Sequence, residues 1–326
     1  MREFAYARAR DVDSAVALVA DNPGARYLGG GTNLVDLMKL GVERPDLLVD
    51  VTGLPLDEVT EGDDGGLRVG AQVRNSELAA HPLVRHRYPM LSEAVLAGAS
   101  GQLRNVATTG GNLMQRTRCG YFTDPSKPCN KRVPGSGCPA IEGLHHNLAI
   151  LGASDHCVAT HPSDLAVALA ALDARVLVHD LAGPREVPLE DFYRPVGDRP
   201  DRELNIPDGT LVTGIVLPPP VTGPSHYRKV RERASYAFAI GSVAALLSVE
   251  AGRVSEVRIA LGAVASHPWR ARVAERSVQG GPPSAAAFEA AAEAELDAAR
   301  PLRDNAYKVP LIRNLIVAVL TELAGR

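Results

Sequence analysis

All four cysteines of this 326-residue chain lie between positions 119 and 157. They are Cys119, Cys129, Cys138 and Cys157, spaced C-x9-C, C-x8-C and C-x18-C. A chain this long builds its core without disulfide staples, so such crowding asks for another reason. No C-x2-C pair occurs, so the zinc-ribbon and ferredoxin patterns both fail. Four thiolates still suffice for a tetrahedral zinc or for the irons of a [4Fe–4S] cluster. Two disulfides, or free core thiols, also fit the spacing. From Gln115 to Cys138 the charges are Arg116, Arg118, Asp124, Lys127, Lys131 and Arg132. This basic surround is expected to lower thiolate pKa values and to offset the charge of a cysteine-ligated centre. His145, His146, His156 and His161 are read as surface or supporting groups. The segment is rich in Pro, Gly and basic residues, which reads as an irregular insertion.

Position adds to spacing. Cys119 follows Asn112 by seven residues, a reach of at most about 25 Å when extended. Asn112 ends the run Thr108-Thr109-Gly110-Gly111-Asn112. A similar run, Gly29-Gly30-Gly31-Thr32-Asn33, stands between a predicted strand and a predicted helix. Glycines there let backbone N–H groups approach an anion, and the helix start adds partial positive charge. Neither run is a G-x-G-x-x-G or a Walker loop. One alone would be a tight turn; two, each with hydroxyl and amide side chains, point to a diphosphate. On the far side of the cysteines, Cys157 is followed by Pro162-Ser163-Asp164-Leu165. That tetrad by itself is only a helix cap.

The remaining pattern is mixed. Helices are predicted over 13–20 (capped by Asp11 or Asp13), 32–40, 88–99, 165–172, 283–300 and 307–323, and strands over 47–51, 67–70, 174–179, 236–250 and 254–261. Prolines at 195, 200, 207 and 218–220 mark a boundary, and no internal repeat is seen. Hydrophobic residues make up 45% and charged residues 22%, which excludes disordered and fibrous classes. With 35 basic and 38 acidic residues the net charge is −3, which gives no general drive toward nucleic acid or anionic membrane. No apolar run is long enough for membrane insertion, and the N-terminus carries no apolar signal core. The expected location is cytoplasmic, or periplasmic if the chain is co-exported with a signal-bearing partner.

Taken in order, these motifs resemble the FAD-binding medium subunit of molybdenum hydroxylases, the xanthine dehydrogenase and CO dehydrogenase family. Leu28-Gly29-Gly30-Gly31-Thr32-Asn33-Leu34 is similar to its first pyrophosphate loop, and Arg104 to Asn112 to its second. Ser163 and Asp164 match the segment that contacts the ribityl chain. Tyr227-Arg228-Lys229 and the run from Arg231 to Ala237 match the start of the C-terminal domain. The resemblance implies an α+β fold: an FAD-binding α/β domain in two parts, 1–60 and 61–220, the second interrupted at 115–157, then a small α+β domain over 221–326. It implies that FAD is held by Leu28 to Leu34, Thr108, Gly110, Gly111, Asn112, Ser163, Asp164, Lys229 and Tyr236. Lys229 is expected near the isoalloxazine, where it would stabilise reduced flavin, and Tyr236 stacked on it.

The cysteine insertion is similar to that of bacterial periplasmic-type aldehyde oxidoreductases, which implies a [4Fe–4S] cluster on Cys119, Cys129, Cys138 and Cys157. A 4-hydroxybenzoyl-CoA reductase-like or xanthine dehydrogenase-like enzyme is the alternative within the family. A zinc-stabilised, non-catalytic assembly subunit and a stand-alone flavin oxidase are alternatives outside it. The implied partners are a molybdopterin large subunit, a [2Fe–2S] small subunit and an external electron acceptor. No general base is expected on this chain, which would not oxidise substrate alone.

Overall fold

The computed structural model describes residues Met1–Arg326. The chain begins with β1 (Ala5–Arg8), α1 (Val12–Ala20), β2 (Ala25–Leu28), α2 (Leu34–Leu40) and β3 (Leu47–Asp50). These strands form a parallel sheet in the order β1-β3-β2. Helix α1 starts where Asp11 accepts from the Ser14 amide while Ser14 Oγ accepts in return, a reciprocal cap. Ala15, Val16 and Val19 then face a small core with Val49, Val51 and Leu54.

A second unit follows: β4 (Val59–Glu61), β5 (Leu67–Gly70), then α3 (Asn75–Ala80), α4 (Pro82–Arg87), α5 (Pro89–Ala97), α6 (Gly101–Arg104), α7 (Thr109–Leu113) and α8 (Gly120–Thr123). Beyond the cysteine segment come α9 (Asp164–Ala171), β6 (Arg175–Asp180), β7 (Gly183–Pro188), α10 (Leu189–Phe192) and β8 (Leu211–Leu217). The sheet is antiparallel, ordered β4-β5-β8-β6-β7. Helix α9 is apolar nearly all round, as a helix buried on every side must be. Ser163 caps it, accepting from the Ala166 amide at 3.0 Å. It packs between α5 and the third sheet.

That third sheet is β12-β11-β10-β9, antiparallel: β9 (Ser225–Val230), β10 (Gly241–Glu250), β11 (Arg253–Gly262) and β12 (Trp269–Arg270). Three helices cover it: α11 (Arg272–Val278), α12 (Ala285–Leu296) and α13 (Lys308–Ala324). In α13, Ile312, Leu315, Ile316, Val319, Leu320 and Leu323 fall on one stripe and are buried with Val243, Ala245 and Leu247 of β10. The mixed helix-and-sheet fold expected from the sequence is thus the fold observed. No helix is long and apolar enough to cross a membrane.

Two local expectations fail. Residues 236–240 are not strand: pairing of β10 with β9 begins at Gly241 opposite Val230. The intervening residues form an exposed loop in which Tyr236 has a φ of +52°. The second glycine run is not a plain turn either, because Thr109–Leu113 is itself a helical turn capped by Thr108.

The cysteine segment is fastened to the far end of the chain. Lys308, wholly buried, donates to the carbonyls of Asn147 (3.3 Å) and Leu148 (3.0 Å), and also to that of Ala263. Asn305 Nδ2 donates to the Ala149 carbonyl at 3.1 Å, and the Ile150 amide to Val264 at 2.9 Å. An irregular segment cannot satisfy its own polar groups, so these distant donors and acceptors complete it.

Candidate cofactor sites

The first glycine run links β2 to α2. Gly31 has a φ of +71°, in the left-handed region that glycine enters without strain. The amides from Gly29 to Leu34 donate to no atom of the chain. Asn33 stands at the helix start without capping it; its Oδ1 instead accepts from the Arg116 amide at 3.0 Å, and its Nδ2 is buried without a partner. A run of free amides beside an orphaned amide donor is suited to phosphate oxygens.

The second run lies against the first at bare backbone. A Cβ on Gly30 would stand 2.1 Å from the Val106 carbonyl oxygen, and one on Gly29 3.2 Å from Thr108 Oγ1. Its own amides are largely committed: Thr109 N to Val73 O and Gly110 N to Ala71 O, both 2.9 Å, and Gly111 N to Thr108 Oγ1, 3.2 Å. Thr108 keeps a free amide, whereas the Asn112 amide donates to the Thr108 carbonyl at 2.8 Å. Asn112 Oδ1 accepts from Ser163 Oγ at 2.6 Å and from Gln115 Nε2 at 2.8 Å. Leu28 and Leu34 flank the first run.

Asp164 opens α9 and is buried. Lys229 Nζ, on β9, donates to its Oδ2 at 2.8 Å and to the Ala97 carbonyl at 3.1 Å. Tyr227 O–H donates to Asp164 Oδ1. Burial, with the Asp164 carboxylate next, drives the Tyr227 pKa well above its ordinary value, so this hydroxyl keeps its proton. In the sequence Tyr227 stands out only as part of a motif; its hold on Asp164 is visible only in three dimensions. Tyr236 stands apart, half exposed, with the Arg233 guanidinium 5.3 Å from its ring. On the same loop Phe238 carries the Arg118 guanidinium at 4.9 Å.

The four cysteines line a single pocket, together with Lys131 and His156. None is in a disulfide, and no three His, Cys, Asp or Glu side chains are grouped so as to hold one metal ion. The backbone turns tightly at two of them: the Phe122 amide donates to the Cys119 carbonyl at 3.0 Å and the Ile141 amide to that of Cys138 at 3.2 Å. Three of the thiol pKa values move against the sequence expectation. Burial raises those of Cys119 and Cys138, and pushes Cys157 up to about 11 despite Lys131. The reason is where the cations go. Arg116 pairs with Glu43 and Glu203, Arg118 with Asp36, and Arg132 with the carbonyls of Tyr121, Phe122 and Asp124. Burial raises the Glu203 carboxyl, but Lys131 and Arg116 outweigh it and hold the group down at about 2.

His145 and His161 are not surface groups. His145 is buried, its Nε2 accepting from the Asp304 amide at 3.0 Å. Burial takes His161 down to about 3, so it is neutral, its ring tilted against that of Tyr193 with centroids 4.6 Å apart.

Two glycine runs meeting at backbone, closed by a separate four-stranded domain that reaches in with Lys229, define a flavin-carrying chain. Residues 2–220 match the family described as the FAD binding domain in molybdopterin dehydrogenase, and residues 225–323 the CO dehydrogenase flavoprotein C-terminal domain. The chain belongs to this family, the FAD-binding medium subunits of the molybdenum hydroxylases. It is 48% identical to the aldehyde oxidoreductase FAD-binding subunit PaoB of Escherichia coli (strain K12), over 99% of this chain and 98% of that one. It is 27% identical to the putative xanthine dehydrogenase FAD-binding subunit XdhB of the same strain, over 99% and 97%. In fold it is similar to a chain of reconstituted CO dehydrogenase from Oligotropha carboxidovorans, with a TM-score of 0.79, 22% identity and coverage of 100% and 99%.

Proposed function

We propose that this chain is the FAD-carrying electron-transfer subunit of a molybdenum-containing aldehyde oxidoreductase, and that Cys119, Cys129, Cys138 and Cys157 hold a [4Fe–4S] cluster. The aldehyde reading rests on the 48% identity, end to end, to a subunit of that name. The observation that carries the flavin site is the run of free amides from Gly29 to Leu34 beside the buried, unpartnered Asn33 Nδ2. Those groups fit a diphosphate. Thr108 and Asn112 extend the cradle, with Ser163 holding Asn112 in place. Asp164 is assigned to the ribityl hydroxyls and Lys229 to the ring, with Tyr236 the aromatic face offered to it. Bound FAD supplies the redox chemistry, taking up and releasing electrons.

The cluster reading is supported by the donor set: four thiols, none in a disulfide, lining one pocket, which is the ligand number such a cluster takes. Because burial raises the thiol pKa values of Cys119, Cys138 and Cys157, loading must release their protons. The division of labour is a molybdopterin large subunit for the substrate, a [2Fe–2S] small subunit, and an external acceptor beyond this chain. Within it, residues 1–60 and 61–220 are the two parts of the flavin cradle and 221–326 its cover.

An absorbance spectrum of the purified chain, with iron, sulfide and zinc assayed on the same sample, tests this. Flavin bands with a broad brown shoulder and about four irons per chain are expected. Flavin with zinc, or with no metal, would remove the cluster; no flavin after reconstitution would remove the whole reading.

A further inference from the structure

Lys131 is the one cation of the cysteine segment whose side chain lines the pocket shared by the four cysteines. It is 5% exposed. An ammonium this deep needs acceptors, and Nζ has two: Glu203 Oε1 at 2.8 Å and the Pro200 carbonyl at 3.1 Å. Both come from the proline-rich connector, some seventy positions further along. The other oxygen of Glu203 accepts from Arg116 Nε at 2.7 Å, and Arg116 Nη1 reaches Glu43 Oε1 at 2.5 Å. Charges therefore alternate Glu43, Arg116, Glu203, Lys131 from the loop just past α2 to the cysteine pocket. At the pocket end the series presents its cation and keeps the carboxylate behind it.

Resting on the [4Fe–4S] reading above, we propose that Lys131 sets the reduction potential of the centre held by the four cysteines, and that Glu203 is the residue that positions it. Reduction adds one electron, and so one negative charge, to that centre. A fixed cation lining the pocket favours the reduced form, and an anion behind it opposes that preference. Low local dielectric makes both effects larger than they would be at the surface. Arg116 and Glu43 fix Glu203, so the potential is held by a network rooted in the flavin-binding half of the chain.

The test is a redox titration of the full chain, purified without oxygen and monitored by electron paramagnetic resonance. Wild type is compared with Lys131→Met, Lys131→Arg and Glu203→Gln. Lys131→Met is expected to disfavour reduction about tenfold, a fall of about 59 mV for a one-electron couple. Lys131→Arg should stay near wild type. Glu203→Gln should move the potential upward, opposite in sign to Lys131→Met. Equal potentials in wild type and Lys131→Met, at equal iron content, would overturn the proposal. Shifts of the same sign in Lys131→Met and Glu203→Gln would overturn it too, since lost packing does not distinguish charge. Should Lys131→Met fail to fold, the sign of the Glu203→Gln shift decides alone. Wild-type chain without iron or labile sulfide would instead fail the cluster reading, and this inference with it.

Discussion

Replacing Lys229 by Met strands the Asp164 carboxylate. Both side chains are buried, 3% and 8% exposed, and their charges meet at 2.8 Å. Removing one partner of such a pair costs about 3–5 kcal/mol, because the survivor is left charged without compensation. Two features of this site reduce that figure. Tyr227 O–H still donates to Oδ1, and Arg231 Nη1 still satisfies the Ala97 carbonyl at 3.1 Å. A loss of about 3 kcal/mol is expected for Lys229→Met, read by urea unfolding of the flavin-free chain. Asp164→Asn alone should cost a similar amount, since it strands the ammonium. The double variant removes both charges and keeps the tyrosine bond, so it should recover most of the loss. The coupling energy of the cycle is then about 5 kcal/mol, two single losses of about 3 kcal/mol less a double loss of about 1 kcal/mol. If the double variant is no more stable than Lys229→Met, the ion pair does not hold β9 to α9, and the reasoning fails.

Gly30→Ala brings a methyl to within 2.1 Å of the Val106 carbonyl, so the two glycine runs must part; FAD retention on gel filtration should fall at least about tenfold, with stability down by about 1–3 kcal/mol. Lys308 is taken by burial down to about 7 from an ordinary 10.5. The unfolded chain therefore binds the extra proton between pH 7 and 10.5, and wild-type stability should climb across that window while Lys308→Met, compared by denaturant melts, lacks this rise. Cys138→Ser should lower iron per chain while leaving flavin content unchanged, measured by metal analysis and absorbance on one preparation; unchanged iron would remove Cys138 from the ligand set.

What the sequence makes legible here is local. The Asp11 and Ser163 caps, the stripe along α13 and the strand-to-helix setting of Gly29–Asn33 each depend on residues a few positions apart. The motif order from Leu28 to Lys229 carries the family. Long-range pairing is not legible. Nothing near Lys131 announces Glu203, and nothing near Asp164 announces Tyr227 or Lys229 as its partners. The raised thiol pKa values of Cys119, Cys138 and Cys157 are hidden for the same reason: charges counted along the chain say nothing of where they point, and only Lys131 lines the pocket. The run from Tyr236 to Ile240 has the composition of a strand, yet its only neighbour in register ends at Val230, so it loops. His145 and His161 read as surface or supporting groups, and their burial depends on partners near Asp304 and Tyr193.

The fastening of the cysteine segment to Lys308 sets an order of events during synthesis. At about 5–20 residues per second, the roughly 150 residues between Cys157 and Lys308 take about 8–30 seconds to appear. Until they do, the carbonyls of Asn147 and Leu148 have no donor but water, and the loop around the thiols has no lid of helix behind it. The four sulfurs thus spend that interval without the backing that Lys308 supplies. The helix that begins at Lys308 is the one that locks the door.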